Sequence, residues 1–477
     1  MEILSLKYAI LAIASFFIFY LLNHKYRIGY LAILSCSFIA SYSYYLIIYV
    51  VVYSIINYYI GLKIPVSRYK KTLFRAGIII NLSQLIILKY ASFAIDPVFQ
   101  IFNSSIHVSK LSEIIVPVGI SYFTLQGIGY LINIKMGWEK PERKFLNFLL
   151  YMTFYPKYLS GPIERSNHFL PQLKENKLFN EQQVTEGLRI ALIGYFKKAA
   201  IANQLAPYII KTYANIGLTN GHSLWIVMLL QPLYLYFDFS GYTDMAIGIA
   251  KTFGIELLPN FKRPFFSENM TTFWKRFHIS LSSWFNDYVF KQISFKHRKW
   301  GIFASIYAVF VTWVLFGIWH GAGWCFMMLG LLQALAINYE FFTKKIRLKL
   351  FSRVPNYLRI WIGRISTYFF YCISLVLFFS PDINSAWLYF SKLFEMNGTL
   401  QLGPISTKPI TLLIYIPVFL LLELLQNDFG VRFNKLEHFW FGDKKMNKLF
   451  RWSVYCLIIT MIFVVGNEVD QFIYVNF

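Results

Sequence analysis

A chain of 477 residues that is 57% hydrophobic and only 14% charged is not an ordinary soluble globular protein, a class with about 25% charged residues. Its formal net charge of +23 invites a nucleic-acid reading, but the basic residues are scattered among short loops between apolar runs, as the positive-inside rule predicts, so no nucleic-acid partner is expected. Such a basic face attracts anions instead: acidic membrane lipids, a phosphate-rich cofactor or an acidic carrier protein.

The apolar runs are long enough, at about 20 residues, to cross a bilayer core of about 30 Å as helices. The opening "MEILSLKYAILAIASFFIFYLLNHKYR" has no basic n-region or clear cleavage site and reads as a retained first span, at about 8–22. Further spans are predicted at about 28–45, 46–62, 76–95 and 113–134. Basic and non-basic loops alternate between them, with "KIPVSRYKKTLFR" and "KMGWEKPERK" on one side. Placing the basic loops in the cytoplasm puts the N-terminus outside.

From 146 the pattern becomes irregular. Pro156, Lys157, Gly161 and Pro162 interrupt "NFLLYMTFYPKYLSGPIERSNHFLPQL", and Lys197 and Lys198 sit inside an otherwise apolar helix. Non-helical or charged backbone at membrane depth is tolerated only against protein or water, so this half is expected to build a cavity with re-entrant elements. The alternative is a set of ordinary short loops. Clear spans resume at about 224–250, 302–319, 321–339, 358–380, 410–424 and 452–468, with basic loops "KKIRLKLFSRVPNYLR" and "FGDKKMNKLFR" between late spans. No soluble domain, linker or repeat is visible. The expected fold is an all-α integral membrane bundle of about 10–12 elements in one domain spanning 1–477. Cys36, Cys325, Cys372 and Cys456 are far apart in apolar segments, lack metal-ligand spacing and read as small core residues.

Two segments carry candidate chemistry. In "NFKRPFFSENMTTFWKRFHISLSSWFNDYVF", 260–290, helical spacing puts Trp274, His278 and Leu281 on one face. Lys275 and Arg276 then point elsewhere, which suits a helix lying at the interface with its basic side toward headgroups. His278 alone could be an interfacial histidine that simply finds a hydrogen bond. The second segment runs from Gly301 to Tyr339 without one Asp, Glu, Lys or Arg, and His320 lies midway along it, followed by Gly321 and Gly323. "HGAG" is either a tight hairpin carrying a wet histidine or a helix break that holds an imidazole in an internal cavity. A buried neutral imidazole can serve as general base for a hydroxyl nucleophile. No Gly-x-Ser-x-Gly elbow, His-Glu-x-x-His motif or Gly-x-x-x-x-Gly-Lys loop is present, and no metal site is expected. Asp238 and Asp244 lie within an apolar run, where a charge costs at least about 2.5–3.5 kcal/mol. They are expected to form a structural ion pair or hydrogen-bond hub, with Arg263, Lys275 and Arg276 as the nearest cations in sequence.

At these residues the sequence resembles the membrane-bound O-acyltransferase superfamily, and within it the bacterial alginate O-acetyltransferase-like group. The matching pieces are "VPVGISYFTLQGIGYLINI" at 117–135, "FYPKYLSGPIERSNHFLPQL" at 154–173, the stretch 236–290 beginning "YFDFSGYTDMAIGIA", and "FGIWHGAGW" at 316–324. They occur in the family's order and cover roughly 30–340. The resemblance implies an active-site pair: His278 in Phe-Trp-x-x-x-His-Ile-Ser-Leu-Ser and His320, preceded by Trp319, in Trp-His-Gly. It also implies tilted helices around a central tunnel, with the acyl donor arriving from the cytoplasm and the acceptor hydroxyl from outside. His320 would deprotonate the acceptor. His278 would orient or stabilise it, with Asn286 or Asp287 nearby in sequence, and Asp238, Asp244, Lys275 and Arg276 as supporting or substrate-path residues. The expected activity is O-acetylation of an exported or cell-wall polysaccharide at the bacterial inner membrane, with acetyl-CoA as donor and an extracytoplasmic partner in trans. The chain departs from the alginate-type pattern after "WFNDYVF", where "KQISFKHRKWG" replaces a Gly-Gly-Asn/Ser-Arg loop. A D-alanyl-type transferase fed by a carrier-protein thioester is the related alternative. A lipid-linked glycan transporter fits the composition but has no need of the histidine pair, and a noncatalytic scaffold likewise.

Overall fold

The computed structural model describes residues 5–91, 93, 119–159, 161–396, 414–421, 423–424 and 445–465. Parts of several expected elements lie outside the described residues: the loop after the fourth span, positions 94–95 and 113–118 of the fourth and fifth spans, 410–413, 466–468 and the start of the last basic loop.

Every described element is helical, apart from a single antiparallel bridge between Phe261 and Phe277. The N-terminal helices are α1 (Leu6–Leu21), α2 (His24–Ala40), α3 (Tyr44–Lys63), α4 (Lys70–Tyr90) and α5 (Ile120–Met136). Small polar residues start three of them: Ser5, Asn23 and Ser43 each accept a backbone N–H of the first turn, as N-caps do. Next come α6 (Phe145–Thr153), α7 (Ser166–Gln172), α8 (Glu181–Phe196), α9 (Asn203–Ala214) and the 32-residue α10 (Gly221–Thr252). After two short helices, α11 (Met270–Trp274) and α12 (Ile279–Phe285), the long elements return. They are α13 (Ile302–His320), α14 (Trp324–Leu350), α15 (Asn356–Phe379), α16 (Ile383–Lys392) and α17 (Lys445–Val465).

Among the described residues seven helices are long and apolar enough to cross a membrane: α3, α4, α10, α13, α14, α15 and α17. The expected spans at about 8–22, 28–45 and 113–134 appear as the shorter helices α1, α2 and α5, of 16, 17 and 17 residues, while the region 137–215 folds into brief helices and turns. Pro156 and Lys157 lie in a single buried helical turn, Tyr155–Tyr158. The Lys157 ammonium donates to Gln126 Oε1 at 2.8 Å. Glu164, also buried, accepts the Leu258 N–H at 2.5 Å and stands 2.9 Å from His168 Nδ1. That carboxylate holds the His168 imidazole above its usual range.

Glycine sets the closest helix crossings. α8 and α10 pack so tightly that a Cβ on Gly194 would stand 2.6 Å from the Gly241 carbonyl oxygen. A stripe of small residues lets two backbones approach in this way. On α13 and α14, a Cβ on Gly330 would overlap the Trp313 carbonyl, and one on Gly317 would overlap that of Phe326. These helices therefore form a close antiparallel hairpin about Gly321–Gly323. Of the four cysteines, Cys325 and Cys372 are buried, Cys36 is partly buried and Cys456 is exposed.

The interfacial helix expected within 260–290 does not form as one piece. It breaks after Trp274 and restarts at Ile279, with His278 at φ 47°, ψ 52° in the left-handed region. The break has a tertiary cause. The Asn260 carbonyl accepts the Ile279 N–H at 2.9 Å, its side chain accepts the Ser280 N–H at 3.2 Å, and Lys262 N–H donates to the Arg276 carbonyl at 2.9 Å. A non-local asparagine thus caps α12. Trp274, His278 and Leu281 are all buried, so the shared environment holds although the single helix does not.

Candidate active site

His278 and His320 come from separate elements and meet around one indole. The Trp319 ring centroid lies 6.0 Å from that of His278 and 5.0 Å from that of His320. Both imidazoles are enclosed, at 1% and 6% relative exposure. Aromatic rings form the walls. Phe239 of α10 stands edge-on to His278 at 4.6 Å, and Tyr122 of α5 lies 6.5 Å from it. Phe316 and Phe378 stand edge-on to His320 at 4.8 and 5.8 Å.

Each histidine owes its place to a local interruption of helix. His278 occupies a left-handed position, which costs about 1–2 kcal/mol for a residue with a Cβ and persists only where the surroundings impose it. His320 is the last residue of α13. The two sequence readings of "HGAG" are both partly realised: the segment is a hairpin, and its imidazole is nevertheless buried. A Cβ on Gly321 would overlap the Phe326 ring, so a larger residue there would force the tip apart.

The end of α13 is held by residues that the sequence reading did not single out. Lys89 Nζ donates to the carbonyls of Trp319 and His320 at 2.8 and 3.0 Å, and to Ser121 Oγ at 3.2 Å. The Tyr90 hydroxyl donates to the Ile318 carbonyl, and Trp319 Nε1 to the Ser121 carbonyl at 3.3 Å. The available signal was a lysine within the apolar run at 76–95, since ionisable residues inside spans mark functional positions.

The remaining expected residues lie elsewhere. Asp238 pairs with Lys198, both side chains fully buried, and Asp244 with Lys197 at 2.7 Å. These ion pairs thus come from Lys197 and Lys198, and not from the cations nearest in sequence. A π-helical turn at Lys197–Ala202 follows α8, which lies antiparallel to α10 and brings both lysines opposite the carboxylates. Lys275 is exposed and Arg276 partly buried, its guanidinium 3.4 Å from the Phe266 carbonyl. Asn286 and Asp287 do not reach His278 either. Asn286 donates to Asp287 Oδ1 at 3.1 Å, and Asp287 pairs with Lys291 at 2.8 Å and Arg165 at 3.5 Å. The π-helical turn Asn286–Phe290 carries both away from the imidazoles.

Asp287 instead lines a surface cavity of about 240 Å³ with Trp138, Arg165, Tyr288 and Lys291. Arg165 stacks over the Tyr288 ring at 4.5 Å, and the Tyr288 hydroxyl donates to Asn133 Oδ1 at 2.7 Å. Beside this cavity burial pushes the Glu139 carboxyl up to about 7, against the opposing effect of hydrogen bonds from Ser166 and Asn133. A carboxyl raised in the folded state contributes stability that is present below its ordinary value near 4.5 and is lost as pH rises through about 7. The melting temperature in detergent should therefore fall between pH 5 and pH 8.5, and Glu139→Gln should flatten that slope. An unchanged slope in the variant would mean that Glu139 is not the group responsible.

Among the described residues no group of three or more His, Cys, Asp or Glu side chains is placed to hold a metal ion. The chemistry available is that of two enclosed imidazoles. The sequence model of the membrane-bound O-acyltransferase family matches residues 143–380, a range that contains both histidines. Over 420 residues the chain is 29% identical to the probable alginate O-acetylase AlgI of Pseudomonas aeruginosa, covering 87% of this chain and 78% of that protein. It is 31% identical to the peptidoglycan O-acetyltransferase of Helicobacter pylori over 379 residues, 72% of this chain and 69% of that one. The teichoic acid D-alanyltransferase of Bacillus subtilis is 32% identical over 237 residues, 48% and 60% of the two chains. With its described elements helical and seven helices among the described residues able to cross a bilayer, this chain is a multi-pass membrane O-acyltransferase and belongs to the membrane-bound O-acyltransferase family.

Proposed function

We propose that this protein transfers an acetyl group from acetyl-CoA, arriving from the cytoplasm, to a hydroxyl of an exported or cell-wall polysaccharide. It does so in the bacterial inner membrane, with the N-terminus outside. The observation that carries this reading is the pair of buried imidazoles packed on Trp319. His320 takes the proton of the acceptor hydroxyl as its oxygen attacks the thioester carbonyl. The tetrahedral intermediate then expels the thiolate, which recovers the proton, leaving an ester and a free thiol. His278, packed on the same indole, orients the reacting groups. The acceptor reaches this point from outside, and an extracytoplasmic partner in trans completes delivery to the polymer. Alginate and peptidoglycan acetylation are the activities in the names of two relatives, and a sugar hydroxyl is the acceptor common to both.

The cavity lined by Arg165, Lys291, Trp138 and Asp287 suits the phosphate-bearing end of the donor, because two cations that share the single Asp287 carboxylate meet an aromatic face there, leaving one positive charge in excess. Asn133 lines it, and Tyr122, eleven residues earlier on α5, lies beside His278. At 1.5 Å per residue that is about 16 Å, a span that a pantetheine arm covers. The exposed Lys291 then contributes to binding and not to chemistry. Lys291→Glu should raise the donor KM about 2–10-fold with kcat within about twofold of wild type. A lowered kcat at unchanged KM would remove the cavity from the donor path.

The test of the function uses purified protein in liposomes with acetyl-CoA inside and a defined polysaccharide outside. Release of free thiol together with a base-labile acetyl ester on the polymer is expected. If that donor is left intact while a D-alanyl carrier-protein thioester is consumed, the aminoacyl reading replaces this one. The D-alanyltransferase relatives are its support.

A further inference from the structure

We propose that Lys89 is a positioning residue for acyl transfer: its ammonium fixes the last turn of α13 and thereby sets where the His320 imidazole stands. The inference rests on the reading of His320 as the base.

The last four carbonyls of an α-helix have no intrahelical donor. At the end of α13 these are the carbonyls of residues 317–320. Beyond them the chain turns at Gly321 and Gly323, which carry no side chain that could supply a cap. The donors come instead from the end of α4, about 230 residues earlier in the chain. Tyr90 serves the Ile318 carbonyl, and Lys89 serves those of Trp319 and His320. A cation at a helix C-terminus is also favoured by the aligned peptide dipoles.

An ammonium has three N–H groups, and here three acceptors lie at 2.8, 3.0 and 3.2 Å: two carbonyls of α13 and Ser121 Oγ. No N–H is left over for a substrate. That count separates a positioning role from acid–base work on the reacting atoms. The Ser121 contact matters in its own right. Ser121 is in the first turn of α5, and its carbonyl accepts the indole N–H of Trp319. Lys89 and Trp319 thus tie the α13 terminus to the same turn of α5 whose next residue, Tyr122, packs on His278. One lysine therefore couples the backbone of one histidine to the wall of the other.

Removing the ammonium leaves two carbonyls of the final turn without donors and frees that turn to shift. Displacement of a reacting group by about 1 Å costs roughly 10²-fold in rate. The experiment compares wild type, Lys89→Met, Lys89→Arg and His320→Ala in liposomes supplied with an acyl thioester and acceptor. It measures kcat, the KM for both substrates and the melting temperature. The expected result is a kcat for Lys89→Met lowered about 10–100-fold, with both KM values within about twofold and a fall in melting temperature, from the two carbonyls left without donors, that does not track kcat across the Lys89 variants. Lys89→Arg, which keeps a charged donor, should recover most of the loss. If Lys89→Met does not accumulate as folded protein, Lys89→Gln, which keeps N–H donors without the charge, is scored by the same split. A kcat within twofold of wild type, or a loss that follows the melting temperature or appears in KM, overturns the proposal. If His320→Ala is itself active, the reading of the base fails and not only the role of Lys89.

Discussion

His320→Ala should lower acyl transfer by about 10²–10⁴-fold, the contribution expected of a general base, while the protein still inserts and folds. The imidazole is enclosed by Trp319, Phe316 and Phe378, so it meets no bulk water that could take the proton in its place. Truncation leaves a small cavity among these rings. His320→Gln, closer in volume, separates lost packing from lost chemistry: both variants should be equally inactive but differ in melting temperature. His278→Ala should also be impaired, and in addition relieves a left-handed backbone position only slightly, since alanine keeps the Cβ. The measurement is transfer of a labelled acyl group in liposomes at saturating donor and acceptor. Near-normal turnover by His320→Ala would remove this residue from the mechanism.

Breaking the Lys198–Asp238 pair should be the most destabilising single change in the membrane-embedded core. Both side chains are fully buried, and the residues face each other beside a close helix crossing, where Gly194 and Gly241 meet. Loss of one partner leaves a buried charge without compensation, at a cost of about 3–5 kcal/mol. Lys198→Met or Asp238→Asn should therefore lower the melting temperature in detergent sharply. The double variant Lys198→Met with Asp238→Leu should recover much of it, because apolar replacement of a whole buried pair is often neutral or better. The pair of Lys197 with the partly exposed Asp244 should matter less. A single variant that loses under about 1 kcal/mol would place the pair in the class of solvated ion pairs.

The long apolar helices were legible because their period and length follow directly from bilayer thickness. The positions of His278 and His320 were legible from local motifs. Their enclosure was not, since it depends on rings contributed by α5, α10 and α15. The break at 275–278 was hidden for a similar reason. No Gly or Pro marks it, and helical spacing continues through it. The interrupting donors and acceptors come from Asn260 and Lys262, in a segment without helical period. That Asp238 and Asp244 need ion-pair partners was legible, but Lys197 and Lys198 were not, because proximity in sequence favours 263–276, whereas the glycine-lined crossing of α8 and α10 brings residues 40 and 47 positions earlier into range. Asn286 and Asp287 show the opposite error. They lie close to His278 along the chain, yet one turn of π-helix redirects them to a different surface.

The dependence of the α13 terminus on Lys89, Tyr90 and Ser121, together with the packing of Phe378 on His320, bears on biosynthesis. The parts of this centre are delivered by the ribosome across almost three hundred residues, from α4 to the end of α15. If His320 is the base, a nascent chain arrested before the end of α15 carries His278 without the complete enclosure of the pair, and such a fragment should consume no thioester.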